Sequence, residues 1–240
     1  MNNARELTET AIEEVGAKMI EIAFPIGGSI LVNTLKSFQS KQLARKVERV
    51  AAFAQKLYDE VQDLKGTVNK DYFSSPDYLD LFEQTINRIA IERTEAKRNY
   101  YRRILVHSLC DTKSDYDKTE KYIRLLDRMD VLELRVLVIL SKPEQANKEL
   151  GNIIKDPNEP VPGYINLSTT WGQYGATDTL SQLLKVNKTD IDEALYGLEL
   201  DRLVVAESRY YKLQTNGHPI HVLDNLLTTK GKDFLSYLKS

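Results

Sequence analysis

Seven apolar residues, Leu43, Val47, Val50, Ala54, Leu57, Val61 and Leu64, recur along this chain at alternating steps of four and three. That spacing draws one apolar seam down a helix, and a helix so striped has to be covered along its length by other helices. Leu31, Leu35 and Phe38 carry the stripe upstream, with a slip in phase before Leu43, while Ser29 supplies an N-cap and Gly66 a stop. At 1.5 Å per residue the helix between those signals is about 55 Å long. In a chain of 240 residues such an element is a spine. The fold class it dictates is mainly α, with an N-terminal bundle built on the long helix.

Before the spine, Arg5 to Ile22 reads as an amphipathic helix, with Leu7, Ala11, Ile12, Val15, Met19 and Ile22 on one side. Pro25 ends it, and Gly27-Gly28 allow a tight reversal. After the spine, Ser75-Pro76-Asp77 combines an N-cap, a first-turn proline and an acid at the positive end of the helix dipole. The helix it starts is expected to run to about Cys110. Leu79, Phe82, Ile86 and Ile89 stripe its first part, and Tyr100, Ile104 and His107 continue the stripe beyond a gap.

That gap, Glu92 to Asn99, holds only Ala96 as an apolar residue. It is either a solvated face laced by pairs such as Arg88 with Glu92 and Glu95 with Arg98, or a partly buried acidic and basic site. Because i,i+3 and i,i+4 pairs are routine on exposed helices, the solvated face is the expectation. Asp115 to Met129 follows as a shorter helix with Tyr122, Ile123, Leu125, Leu126 and Met129 facing in. Asp130 and Glu133 then form a capping box for Val131 to Leu140, a helix apolar nearly all round and so expected to be buried. Pro143 marks its end. From Gly151 to Ala176 prolines, glycines, serines and threonines predict a long loop, anchored by Tyr164 and Trp171.

Beyond Asp178 the pattern becomes compact. Leu180, Leu183 and Leu184 make a short helix, Val186-Asn187-Lys188 a turn, and Thr189 caps a second helix carrying Ile191, Ala194, Leu195, Leu198 and Leu200. Leu203-Val204-Val205 reads as a strand with Tyr210-Tyr211-Lys212-Leu213 as its antiparallel partner. Leu227 to Gly231 then steps into a last helix ending at Tyr237 and Leu238. Helix, tight turn, helix and strand pair resemble a winged helix-turn-helix domain, a likeness carried by Leu195-Tyr196-Gly197-Leu198-Glu199 running into Leu203-Val204 and by Leu227-Thr228-Thr229-Lys230-Gly231. Leu134 to Leu140 matches the first helix of such domains. The expected organisation is therefore a helical bundle over 1–129 and a winged-helix (α+β) module over 130–240, with a Pro/Gly-rich insertion at about 151–176.

The whole chain also resembles bacterial proteins in which a helical bundle precedes a winged-helix-like end, the abortive-infection alpha group among them. The matching features are the helix from Glu92 to Asp111, the helical pair from Tyr122 to Leu140 and the end containing Gly231. This resemblance implies a role near phage defence or mobile elements.

Charge then weighs on what the module binds, since the fold alone serves DNA, RNA and protein partners alike. Lys+Arg 33 against Asp+Glu 35 leaves no basic excess. The second helix of the module carries Asp190, Asp192, Glu193, Glu199 and Asp201 between Lys188 and Arg202, a surface that phosphates would repel. A protein partner or self-association is thus favoured over DNA, with Tyr196, Arg209, Tyr210 and Lys212 as the candidate partner-binding residues. A DNA-binding regulator working through Arg209, Tyr210 and Lys212 is the alternative.

A membrane is disfavoured as well: the uncharged run from Ile22 to Leu35 falls short of the ~20 residues that span a bilayer, and Pro25, Gly27 and Gly28 interrupt it. A membrane-acting effector that inserts this run is the remaining alternative of another class. The acidic, non-apolar start carries no signal peptide, and the single Cys110 suits a reducing compartment, so a cytoplasmic location is expected.

Chemistry is sparse. His107 with Cys110 and His218 with His221 make two close pairs of zinc-capable ligands, but without Cys-x-x-Cys spacing the expectation is no metal. His107, Cys110 and Asp111 share one helical face, an arrangement that sets side chains abreast and rarely supplies an oxyanion hole. Gly27-Gly28 lacks the lysine and the preceding strand of a phosphate-cradling loop. No catalytic residue and no cofactor are expected, and the chain reads as a non-enzymatic interaction protein.

Overall fold

The computed structural model describes residues 43–64, 68–110, 115–146, 176–205, 223 and 225–239. Among them the protein is mainly α, in two compact units: Met1–Arg128 with Tyr237–Ser240, and Met129–Ser236. The expected first helix, its Gly27-Gly28 corner, the Ser29 cap, the stripe at Leu31 to Phe38, the Gly66 stop and most of the 151–176 segment lie outside the described residues.

In the first unit the seam behaves as its spacing demands. Helix α1, Leu43–Asp63, buries Val47, Val50, Ala54 and Leu57, and also Phe53. Val61 and Leu64 are only half-buried, so the seam emerges from the core at its tail. A one-turn helix α2, Lys70–Phe73, follows; its Asn69 cap accepts a hydrogen bond from the Tyr72 amide (3.0 Å) and donates its own N–H to the Leu109 carbonyl (2.9 Å). Helix α3, Pro76–Ile91, starts on Ser75, whose hydroxyl accepts from the Tyr78 amide at 3.2 Å. It packs Tyr78, Leu81, Phe82, Ile86 and Ile89 inward, leaving Leu79 at the flank of the face.

The helix expected to run unbroken from Pro76 to Cys110 is two helices. Glu92 takes an extended conformation (φ −69°, ψ 122°), and helix α4, Glu95–Cys110, starts afresh after it. The break is stabilised locally: the Glu92 carboxylate accepts from the Thr94 amide at 2.6 Å, and Arg98 donates to the carbonyls of Glu92 and Arg93 at 3.0 Å each. Because α4 restarts in its own register, its buried face runs through Tyr101, Ile104 and Leu105, and Tyr100 lies beside that face. Helix α5, Tyr116–Arg128, buries Tyr122, Ile123, Leu125 and Leu126. Helix α1 lies against α3 and α4, and α5 covers those same two helices, so four helices enclose one core.

The second unit begins with helix α6, Val131–Leu140, held by a complete capping box: the Glu133 amide donates to Asp130 and the Asp130 amide to Glu133, both at 2.7 Å. Leu134, Val136, Leu137 and Leu140 are buried, but Val131 and Val138 are 39% and 38% exposed, so the helix is open to solvent on one side. Helix α7, Ala176–Leu184, turns through Lys185 (φ 54°) into helix α8, Lys188–Leu200. Asn187, not Thr189, is the cap of α8: its side-chain Oδ1 accepts from the Asp190 main-chain amide (2.8 Å) and its side-chain Nδ2 donates to the Asp190 carboxylate (2.6 Å). This two-way bond with the residue three positions on fixes the start ahead of Thr189.

After α8 the chain passes through Arg202 (φ 58°) to Val204, which bridges Leu227 in antiparallel sense. Val205 donates to Leu226 (2.9 Å) and Thr228 to Leu203 (3.0 Å). This isolated bridge is the sheet-like pairing of the described residues, which include no strand; the expected partner, Tyr210 to Leu213, lies outside them. The last helix, α9, Thr229–Leu238, starts at Thr228, whose hydroxyl accepts from the Gly231 amide (3.0 Å) and donates to the Arg202 carbonyl (2.7 Å). A Cβ on Gly231 would come within 2.1 Å of the Leu203 carbonyl oxygen, so only glycine lets α9 start this close to the chain leaving α8.

Candidate partner-docking face

Helix α8 sorts its residues onto two sides. Ile191, Ala194, Leu195 and Leu198 are buried against α6 and α7. On the other side Thr189, Glu193, Tyr196 and Leu200, spaced four, three and four, are all exposed. Tyr196 keeps 51% and Leu200 66% of its surface in water. Leu200 belongs to this outer row and not to the buried one.

The electrostatics of this face are one-sided. Asp190 and Glu193 are exposed on it, while Lys188, the one cation within α8, is paired with the Asp178 carboxylate of α7. Asp192 accepts from the Thr177 hydroxyl at 2.6 Å, which ties the helix to α7. Gly197 sets α8 close to α6: a Cβ there would lie 2.1 Å from Glu133 Oε1, the carboxylate that closes the α6 capping box. The face therefore offers an aromatic ring and an isobutyl group among carboxylates, on a helix anchored at its start, middle and back. Such a surface can bury apolar area against a partner and attract cations, and it repels phosphates.

The polar stretch between α3 and α4 forms a different arrangement. Lys97 is buried, 8% exposed, with Nζ donating to the Asp127 carbonyl at 2.9 Å and lying 3.7 Å from Glu92. The Tyr101 hydroxyl donates to Asp127 at 3.1 Å, and Arg88 approaches the same carboxylate at 3.5 Å. Burial, together with the Asp127 charge, pushes the Tyr101 phenol well above its ordinary range. The expected solvated face is corrected here. Arg88 pairs with α5 and not with Glu92, Glu95 pairs with Lys56 of α1 (2.8 Å) and not with Arg98, and only Arg93, Glu95 and Ala96 are fully exposed. The reason is the extended Glu92, which turns the stretch into a corner that α5 covers. Its groups neutralise one another, and the role this supports is structural.

Of the sequence-derived partner-binding residues, Tyr196 is on the α8 face, while Arg209, Tyr210 and Lys212 lie outside the described residues, as do His218 and His221. His107 stands on α4 with its ring 3.9 Å from that of Tyr237, and Cys110 is half-buried at the end of the same helix. Among the described residues no cluster of three or more His, Cys, Asp or Glu could hold a metal ion, and no helix is long and apolar enough to cross a membrane. Comparison of the chain with protein-family models, with curated proteins and with solved structures gives no match.

Proposed function

We propose that this chain is a non-enzymatic docking protein, a helical bundle joined to a small winged-helix-like module whose α8 face binds a protein partner bearing apolar and basic groups. The observation that carries the reading is the exposure of Tyr196 (51%) and Leu200 (66%) in one row with the Glu193 carboxylate. Large apolar side chains on a well-anchored helix contribute most to binding when a partner desolvates them, and tyrosine is among the commonest anchors of protein interfaces. The carboxylates give that partner its sign. A DNA duplex is the poorer occupant, since the helix that would enter its groove presents Asp190 and Glu193. The pairing of Val204 with Leu227 across the segment between them and the glycine-dependent start of α9 support the winged-helix likeness. The resemblance to the abortive-infection alpha group adds the biological setting to this proposal, bacterial phage defence in the cytoplasm.

A photo-crosslinking residue placed at position 196 tests it, with position 55, exposed on α1, as control. In nuclease-treated lysate the expected result is a discrete protein adduct at 196 and none at 55. Leu200→Ala and Glu193→Arg should each weaken that adduct's partner by about tenfold or more. Adducts that vanish with nuclease, or that survive both substitutions unchanged, would overturn the proposal.

A further inference from the structure

Along the first unit, α1 and α4 leave an open groove of about 360 Å³ between them. Its lining is strongly basic: Arg45, Arg49, Lys56, Arg98 and Arg102 against the two carboxylates of Glu48 and Glu95. Two of these cations are already neutralised, Lys56 by Glu95 and Arg102 by Glu60. Arg49 and Arg98 are held differently. Arg49 donates to the Ala90 carbonyl at 3.1 Å, and Arg98 to the carbonyls of Glu92 and Arg93 at 3.0 Å. Main-chain carbonyls orient a guanidinium without cancelling its charge, and each guanidinium has five N–H donors, so most of them stay available. Both side chains are half-buried, which strengthens their field in the groove. Arg45 adds an exposed third positive charge at the rim, and Phe53 supplies an apolar patch.

We propose that this groove binds a soluble phosphate-bearing ligand of mononucleotide size, its phosphates held by Arg49, Arg98 and Arg45. Pre-oriented, unneutralised guanidinium forks match phosphate oxygens in pairs, and their cost of ordering is already met by the carbonyl bonds. Asn99, whose side-chain oxygen accepts from Arg102 at 3.0 Å, has its amide N–H groups left as neutral donors for the same ligand. The size of the groove falls in the range of small-molecule sites. A long polyanion is excluded by the flanking Glu48 and Glu95 and by the absence of any basic excess in the chain as a whole.

The test is calorimetric titration of the full chain at low salt with three probes: inorganic pyrophosphate, ATP and a random-sequence DNA duplex. Saturable one-to-one binding of pyrophosphate, ATP or both is expected, with the duplex bound more weakly. Arg49→Gln and Arg98→Gln should each lower the affinity about tenfold or more. Since both arginines also tie the bundle together, Arg45→Gln serves as the variant that disturbs no carbonyl bond. It should leave the melting temperature of the free protein unchanged and weaken ATP or pyrophosphate several-fold, whereas Arg124→Gln, at an exposed residue of α5 outside the groove, should leave that affinity unchanged. Absence of saturable binding, a duplex bound tighter than ATP, or an Arg45→Gln affinity equal to that of the unaltered protein would each overturn the proposal.

Discussion

The two units differ in what their outer surfaces present. In the first, charged and hydroxyl groups reach from helix to helix: Lys56 of α1 to Glu95 of α4, Arg102 of α4 to Glu60 of α1, Arg88 of α3 to Asp127 of α5, and Tyr116 of α5 to Asp80 of α3. In the second, the long outer side of α8 turns Glu193, Tyr196 and Leu200 to solvent. Individual surface ion pairs contribute little to stability, about 0–1 kcal/mol each. What the ties of the first unit supply is position, fixing helix against helix around the core. A face that keeps much of a tyrosine and a leucine in water contributes less burial to folding than a core face does, and fits a surface that a partner covers. The difference separates residues that hold the molecule together from residues available to a partner.

The largest effect should come from substituting one leucine in each unit. Leu57 is fully buried in the α1 seam, and Leu57→Ala should destabilise by about 2–5 kcal/mol through lost burial and a residual cavity. Leu200→Ala, at 66% exposure, should stay within about 0.5 kcal/mol of the unaltered protein while losing partner binding. Urea denaturation of both variants decides it. A Leu200→Ala loss as large as that of Leu57→Ala would show that α8 needs its outer row for folding, and the contrast between the units would fail.

Two glycines of the second unit sharpen the contrast at the next level. At Gly231 an added Cβ meets a main-chain oxygen, so Gly231→Ala has to move backbone and should cost about 1–3 kcal/mol. At Gly197 the obstacle is the end of the Glu133 side chain, which can rotate away. Gly197→Ala then loses part of a capping box, about 1 kcal/mol, and gains about as much in helix propensity, for a net change near zero. Thermal melts of the two variants should differ clearly. Equal melts would mean that α9 does not depend on its close start.

Local signals in the sequence proved the most legible. The α1 seam, the Ser75 cap and the Asp130–Glu133 box each depend on residues a few positions apart, and each is present. Legibility ends where distant groups decide, or where two good local signals compete. The break at Glu92 falls in a run of good helix formers: the bonds to Thr94 and Arg98 hold it locally, but Lys97 and Tyr101 around it take their partner, Asp127, from a different helix. At the start of α8 two good caps, Asn187 and Thr189, stand two residues apart, and the two-way bond of Asn187 with Asp190 decides between them. The basic groove is a tertiary feature: its arginines come from α1 and α4, stretches far apart in the chain, and only the packing of those helices brings them to one groove.

The smallest effect concerns the ties of the first unit and is read in alkali. The Tyr116 hydroxyl donates to the Asp80 carboxylate, and that bond pushes the phenol up to about 12 from its ordinary value near 10. Between those values the folded protein still holds a proton that the unfolded chain has released, so rising pH favours unfolding. The stabilising contribution is complete below pH 10 and is lost as the pH rises through about 12. Tyr72, raised to about 12 chiefly by its burial, adds to the same decline, as do Tyr78 and Tyr101 further up. The informative quantity is therefore the difference between the protein and Tyr116→Phe, with urea midpoints measured at steps from pH 9 to 11.5. The variant should start slightly less stable and fall less steeply, so that the two curves converge. Solvent reaches Tyr116 and keeps the effect small. Curves that stay parallel would show that the α3–α5 tie is not formed in solution, leaving the first unit's surface as loosely held as the outer row of α8.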